Sequence, residues 1–308
     1  MEKRVVITGG AGGSGKLLAV RLLAEGWEVH CVDKKRGSWP EGITGHQLDV
    51  RKRGFDDVLR RVHPWAVVHL ARLHRLDASS EERHRVNFEG TVHVFEMAVA
   101  AGVEKIVFPS RHTIYGALPD QPLFLTEDHP PAAGRTYPEI QDLVAADLYA
   151  TAQLWRHMGR EVVVLRPVNL VGPNMDNLFC RYLRQPRVFT VAGFDPLYQV
   201  LHEADFTAAL ALSLAPGLRG VFNVAGHEPV PLHVVVEHAG GVRFPLPEPL
   251  IELVGGRLGF PRVPRGAVDY LKFACTVDGS HFQQTTGFSP IKTLTETLDS
   301  MAPSATTA

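Results

Sequence analysis

The chain has 308 residues, 45% of them hydrophobic and 21% charged, with 32 Lys plus Arg against 33 Asp plus Glu. That near-neutral balance excludes a nucleic-acid binder, which carries a basic excess, and a disordered chain, which is poorer in apolar residues. The length suits one large or two small domains with a substantial core. Cys31, Cys180 and Cys275 are far apart and odd in number, so they read as free thiols in a reducing compartment. Residues 1–20 lack a signal-peptide pattern, and no uncharged apolar run reaches the roughly 18 residues that a membrane span needs. The chain therefore reads as soluble and cytoplasmic, with neither nucleic acid nor membrane as a partner. Its 15 His residues scatter without ligand spacing, so no metal site is expected.

Residues 5–8 (VVIT) form a β-branched run and read as a buried strand. Residues 9–15 are a Gly-rich turn, and 16–25 an amphipathic helix stopped by Gly26. Residues 28–33 read as a second strand, 43–50 as a third, 51–62 as a helix and 65–70 as a fourth strand. A long helix pattern over 79–101 closes at Gly102. A fifth strand follows at 105–108, a second long helix at 137–158 and a sixth strand at 161–166. Strands separated by such helices need crossover connections, which predicts an α/β fold with a doubly wound parallel sheet covered on both faces. After Pro167 the rhythm breaks into short segments split by Gly and Pro. The division expected is a dinucleotide-binding domain of Rossmann type over 1–166 and a mainly substrate-binding region over 167–301. Some segments of that region return to the sheet, and 302–308 form a flexible tail.

Gly9, Gly12 and Gly15 make G-x-x-G-x-x-G between the first strand and the first helix. The backbone at Gly9, Gly12, Gly13, Ser14 and Gly15 lets a pyrophosphate approach, and the helix that follows points free N–H groups and its positive dipole end at it. Gly10 to Lys16 also reads as a near P-loop, but Leu17 stands where that motif needs Ser or Thr to hold magnesium. Asp33 ends the second strand, where a carboxylate accepts both ribose hydroxyls of NAD and repels the 2′-phosphate of NADP. Lys34, Lys35 and Arg36 follow and suit that phosphate. NAD is favoured, and NADP stays an alternative.

Longer stretches accompany these features: TGGAG at 8–12, Asp49-Val50, His69-Leu70-Ala71, NFEGTVHVFEMA at 87–98 and AGVEKIVF at 101–108. Tyr115-Gly116, LRPVNLVGP at 165–173, HEAD at 202–205 and TGFSP at 286–290 complete the series. With them the chain resembles the extended short-chain dehydrogenase/reductase family, of the NAD-dependent epimerase/dehydratase type. The resemblance implies a Rossmann-type sheet with a small substrate region. It implies that Asp49 and Val50 flank the adenine and that Leu70, Ala71 and Arg72 line the nicotinamide side. Asn87 joins these cofactor residues, and Pro167, Val168 and Asn169 close the site. It also implies a homodimer through the helices at 79–101 and 137–158.

The family's chemistry uses a Tyr as acid/base and a Lys four residues later that lowers the Tyr pKa and holds the ribose. A Ser or Thr bonds the substrate oxygen. Here the matching Tyr is Tyr137, and Gln141 stands at the Lys position. The positions four after the other five tyrosines hold Pro119, Gln153, Pro186, His202 and Ala274, so no Tyr-x-x-x-Lys exists. The Ser/Thr position four before Tyr115 holds Arg111, with Ser110 and Thr113 as neighbours. An unperturbed Tyr has a pKa of about 10, and Gln141 offers only a neutral hydrogen bond. Two readings follow. In one, Arg111 supplies the missing charge and Gln141 keeps the ribose contact, giving an oxidoreductase, epimerase or dehydratase with non-standard catalytic residues. In the other, the fold binds a dinucleotide with its chemistry impaired, as a regulatory or scaffold protein. On the substrate side, Tyr198 replaces the Arg with which nucleotide-sugar members clamp a diphosphate, while Asn169 matches their phosphate-contacting Asn. Arg262 and Arg265 are loose candidates for a second clamp. The substrate is a small molecule, either a sugar nucleotide or a less charged metabolite among Phe179, Tyr182, Phe194 and Phe206.

Overall fold

The structure, a computed structural model, describes residues 3–73, 78–254 and 264–302. Arg262 and the tail beyond 302 lie outside the described residues. The chain opens with β1 (Arg4–Thr8), α1 (Gly13–Ala24), β2 (Glu28–Asp33), β3 (Ile43–Gln47), α2 (Arg53–Val62) and β4 (Ala66–His69). Helices α3 (Ser80–Arg83) and α4 (Gly90–Ala100) run together through a π turn at His84–Glu89 and lead to β5 (Lys105–Pro109). Next come β6 (Phe124–Leu125), α5 (Ala133–Thr136), α6 (Gln141–Arg156), β7 (Glu161–Pro167) and β8 (Asn169–Val171). Then follow α7 (Leu178–Leu183), β9 (Arg187–Val191), β10 (Leu197–Tyr198), β11 (Val200–His202), α8 (Glu203–Leu212) and β12 (Gly220–Val224).

Seven strands form one sheet in the order β12-β7-β5-β4-β1-β2-β3, with every pairing parallel. The Val- and Ile-rich strands are buried because helices cover both faces. Leu18 and Leu22 of α1 pack with Ala209 and Leu210 of α8 on one face. Phe55 and Leu59 of α2, Val94 and Phe95 of α4, and Ala146 and Ala150 of α6 cover the other. The strand order reverses between β1 and β4, so the crevice above their carboxyl ends is the natural ligand site. Residues after Pro167 build a separate core from Val171, Leu183, Phe189, Val200, Val235 and Leu271. They also send β12 back to the sheet beside β7. Among the described residues, no helix is long and apolar enough to cross a membrane.

Two elements differ from the sequence reading. The third strand ends at Gln47 rather than at residue 50. More consequentially, the helix expected from residue 137 begins at Gln141. Pro138 disfavours helical backbone at the residue before it, and Tyr137 accordingly takes φ −130 and ψ 77. A 3-10 turn at Pro138–Ile140 then leads into α6.

A buried ion pair anchors α6. The Arg166 guanidinium donates to both Asp147 carboxylate oxygens at 3.1 and 2.7 Å, to the Tyr115 hydroxyl at 2.8 Å and to the Glu127 carbonyl at 3.0 Å. Arg166 is 3% exposed and Asp147 is fully buried. A charge taken out of water at such depth is tolerated only with this density of partners.

Candidate active site

The glycine turn is built for close backbone approach. Gly9 has φ +71, and a Cβ there would sit 2.7 Å from the Ala71 nitrogen and the Leu70 carbonyl carbon. A Cβ on Gly15 would meet the Gly9 oxygen at 2.4 Å. Gly9 and Gly10 donate to the Val32 carbonyl, and Gly12 to the Gly9 carbonyl. Gly12 is the open member, since a Cβ there would contact only the Gly9 oxygen, at 3.3 Å. The first turn of α1 carries no acid, and Gly13, Ser14 and Gly15 begin it. The N–H groups of this first turn and the positive end of a 12-residue helix suit an anion there. Asp33 braces the turn, accepting from the Ala11 N–H at 3.0 Å and the Lys35 N–H at 2.8 Å. Lys34 beside it is exposed. These residues fit a dinucleotide: bare glycine backbone at the phosphate position and a carboxylate at the end of β2. The sequence did not reveal that the loop after β8 reaches this cradle. The Asn174 oxygen lies 2.5 Å from where a Gly13 Cβ would be, and Glu203 holds Asn174 by two hydrogen bonds.

Asp49 pairs with Arg51 at 2.6 and 3.0 Å, which holds its carboxyl down to about 2, and Val50 beside it is buried. At the switch point the Thr8 hydroxyl meets His69 Nδ1 at 2.7 Å and accepts from the Ala71 N–H at 3.2 Å. The Leu70 N–H donates to the Thr8 carbonyl. Arg72 donates to the Pro109 carbonyl at 2.7 Å and the Ser110 carbonyl at 3.5 Å. Its burial, reinforced by Arg111, pushes its pKa down to about 10. Asn87 accepts from the Leu73 N–H at 2.7 Å and donates to Asp142 at 2.5 Å. The Pro167 carbonyl accepts from His112 Nδ1 at 3.1 Å, the Val168 N–H donates to Val224, and Asn169 donates to the Gln199 carbonyl at 3.1 Å.

Above the carboxyl edge lies a cavity of about 360 Å³. It brings together Arg72, Asn87, Arg111, Thr113, Tyr137, Asn169 and Tyr198, all singled out from the sequence. Ser110 is buried beneath, on a small adjoining pocket with Arg72, Asn87 and Arg111. Gln141 does not join them. Its side chain is exposed and donates to the Gly134 carbonyl at 3.0 Å, apart from the cavity lining. The cause is Pro138: with Tyr137 outside the helix, residues 137 and 141 no longer share a helical face.

The cavity wall has a distinctive electrostatic state. The Tyr137 hydroxyl, the Thr113 hydroxyl, Arg111 Nε and one Glu139 carboxylate oxygen are buried without a hydrogen-bond partner among the described residues. Buried polar atoms are nearly always paired, so four orphans on one cavity mark a place where ligand atoms belong. Burial pushes the Tyr137 phenol up to about 12, with Glu139 adding to the rise and Arg111 and Arg83 opposing it. Arg111 therefore acts on Tyr137 as a cation, and desolvation outweighs it. At neutral pH the phenol is protonated and can donate a hydrogen bond or a proton.

Several lining residues escaped the sequence reading. Glu139 enters on the turn that follows Tyr137, and Asp142 on the first turn of α6. Tyr270 comes from the C-terminal segment, donating its hydroxyl to the Thr113 carbonyl at 2.5 Å while its own carbonyl accepts from the Tyr198 hydroxyl at 2.6 Å. Tyr198 stacks on Phe179 with ring centroids 5.3 Å apart. Pro138 was the readable signal for the first pair; no local motif announces Tyr270.

Comparison with known proteins supports the same assignment. The chain is 27% identical to an uncharacterized protein of Mycobacterium bovis, over 82% of this chain and 69% of that one. It is 29% identical to a UDP-glucose 4-epimerase of Cyamopsis tetragonoloba, over 56% of this chain and 53% of the other. A Thermus thermophilus UDP-glucose 4-epimerase, solved in complex with NAD, superposes with a TM-score of 0.77 at 24% identity, covering 97% of each chain. The model of the NAD dependent epimerase/dehydratase family matches residues 5–225. With its glycine turn, its parallel sheet and that match, the chain belongs to the NAD dependent epimerase/dehydratase family, within the extended short-chain dehydrogenases/reductases.

Proposed function

We propose that this chain holds NAD on the glycine turn and acts on a sugar nucleotide in the cavity, in an epimerase- or dehydratase-type reaction with non-standard catalytic residues. One observation carries the reading: Tyr137, Thr113 and Arg111 present orphaned polar atoms to one cavity at the carboxyl edge of a family fold. The relatives named as UDP-glucose 4-epimerases supply the substrate class. NAD, when bound, supplies reversible hydride acceptance from a carbinol carbon. The chain's own residues do the rest. Asp33 and the bare backbone of Gly9, Gly12 and Gly15 would hold the dinucleotide, and Asn87 and Arg72 shape the nicotinamide end. Protonated Tyr137 and Thr113 hydrogen-bond the reacting oxygen. In the oxidative direction Tyr137 must receive that proton, and with its pKa raised to about 12 its phenolate is scarce near neutral pH. Slow turnover follows, rising with pH. That same observation favours a second reading, a dinucleotide-binding protein without turnover. The test is to identify the nucleotide retained by purified protein and to follow conversion of UDP-glucose and UDP-glucuronate. Retained NAD with conversion supports the first reading, and retained NAD without conversion of either UDP-glucose or UDP-glucuronate at any pH supports the second.

The division of labour proposed is residues 1–166 for the dinucleotide and 167–301 mainly for substrate. A homodimer through α4 and α6 accords with Leu148, Trp155 and Met158, which are 50, 76 and 70% exposed on or just beyond α6. Sedimentation of a monomer at micromolar concentration would remove this part of the proposal.

A further inference from the structure

Arg111 has no ion-pair partner among the described residues. It precedes the 3-10 turn His112–Tyr115 in extended backbone and lines the cavity beside Tyr137, Thr113 and Tyr270. Its Nε is buried without a partner, and no ion pair of Arg111 occurs among the described residues. The groups that feel its charge are the cation Arg72 and His112, Tyr137, Tyr270 and Cys275. Burial keeps the last four neutral at neutral pH, His112 by lowering it to about 3 and the others by raising them. The three other cavity arginines are occupied: Arg72 by the carbonyls of Pro109 and Ser110, Arg83 by the Ala78 carbonyl at 2.6 Å, and Arg181 by Asp176 at 2.7 and 2.8 Å. Asp142 is held by Asn87. Glu139 shares this lining, yet no ion pair joins it to Arg111 among the described residues, so the half-buried guanidinium is left to a ligand that brings an anion.

We infer that Arg111 recognises a carboxylate on the substrate's sugar ring, so that the cavity takes a uronate sugar nucleotide in preference to its neutral counterpart. The inference rests on the sugar-nucleotide reading above and narrows it. The planar fork of a guanidinium matches a carboxylate in two parallel hydrogen bonds. Its place beside Tyr137 puts that fork at the reacting ring rather than at the nucleotide. In the same wall, the unpartnered Thr113 hydroxyl can serve a ring hydroxyl.

The experiment titrates UDP, UDP-glucose and UDP-glucuronate into the intact protein and its Arg111→Met and Arg111→Lys variants. The expected result is at least tenfold tighter binding of UDP-glucuronate than of UDP-glucose. Arg111→Met should lose about 10- to 100-fold for UDP-glucuronate alone, as for one charge-assisted contact. Arg111→Lys should fall between. Unchanged UDP affinity shows that the variants are folded. Equal affinity of the intact protein for the two sugars overturns the inference. So does an equal loss for all three ligands in Arg111→Met, which would put the guanidinium on the diphosphate. Failure of UDP and both sugars to bind intact protein removes the sugar-nucleotide reading, and the inference with it.

Discussion

Arg166 is buried and Arg111 is half-buried on a cavity wall, and their surroundings are opposite. Arg166 has four hydrogen bonds and a paired carboxylate. Arg111 has no ion pair among the described residues, and its neighbours Tyr137, Thr113 and Glu139 carry orphaned atoms of their own. The first arrangement is complete without any ligand and stiffens the fold. The second is complete only with one. Polar satisfaction thus separates scaffold from site.

The contrast can be broken at either end. Tyr137→Phe removes a hydroxyl without a protein partner, so stability should move by only about 0.5 kcal/mol. Conversion of a UDP-sugar should fall by about 10² to 10⁴, as for loss of a general acid/base. A large loss of stability would make Tyr137 scaffold instead. Asp147→Ala leaves Arg166 as an uncompensated buried charge and should cost about 3–5 kcal/mol in urea unfolding. A cost below 1 kcal/mol would show that the pair is dispensable.

The alkaline limb sharpens the comparison further. The Tyr137 phenol is raised from 10.0 to about 12 in the folded chain. Below pH 10 both states keep the proton and nothing changes. Between about pH 10 and 12 only the unfolded chain ionises, so stability falls as pH rises, by about 2–3 kcal/mol over that window. Urea midpoints of Tyr137→Phe should fall less steeply than those of the native chain above about pH 10. The smallest effect belongs to Gln141→Lys. This change writes the family's Tyr-x-x-x-Lys into the chain, yet position 141 is exposed and turned to Gly134. Stability should move by no more than about 0.5 kcal/mol, and conversion should not rise. A clear rise would show that residues 137 and 141 do face each other.

Much of the frame was legible because its signals are local. Residues 5–8 and 28–33 announce strands by β-branching, and the glycines at 9, 12 and 15 announce the turn between sheet and helix. β12 was not legible as a sheet strand: Gly220–Val224 is short, lies in the Gly- and Pro-broken region and finds its partner 57 residues upstream, Gly220 beside Val163. At the site, Tyr137 and Arg111 were readable by position, but their orientation was not. Pro138 should have prompted a break after Tyr137, and the expected spacing of family residues overrode it. Tyr270 reaches Thr113 across 157 residues, a contact set by tertiary packing alone.

Pro138 carries a consequence for reversibility. Turning position 141 toward Tyr137 needs helical backbone at 137, hence loss of the proline. It also needs α6 to start earlier while Asp147, on the same helix, stays clamped to Arg166. A lysine alone gains nothing, and removing the proline alone disturbs the turn that presents Glu139. Bringing residues 137 and 141 onto one helical face therefore takes both changes at once, with the Asp147–Arg166 clamp kept.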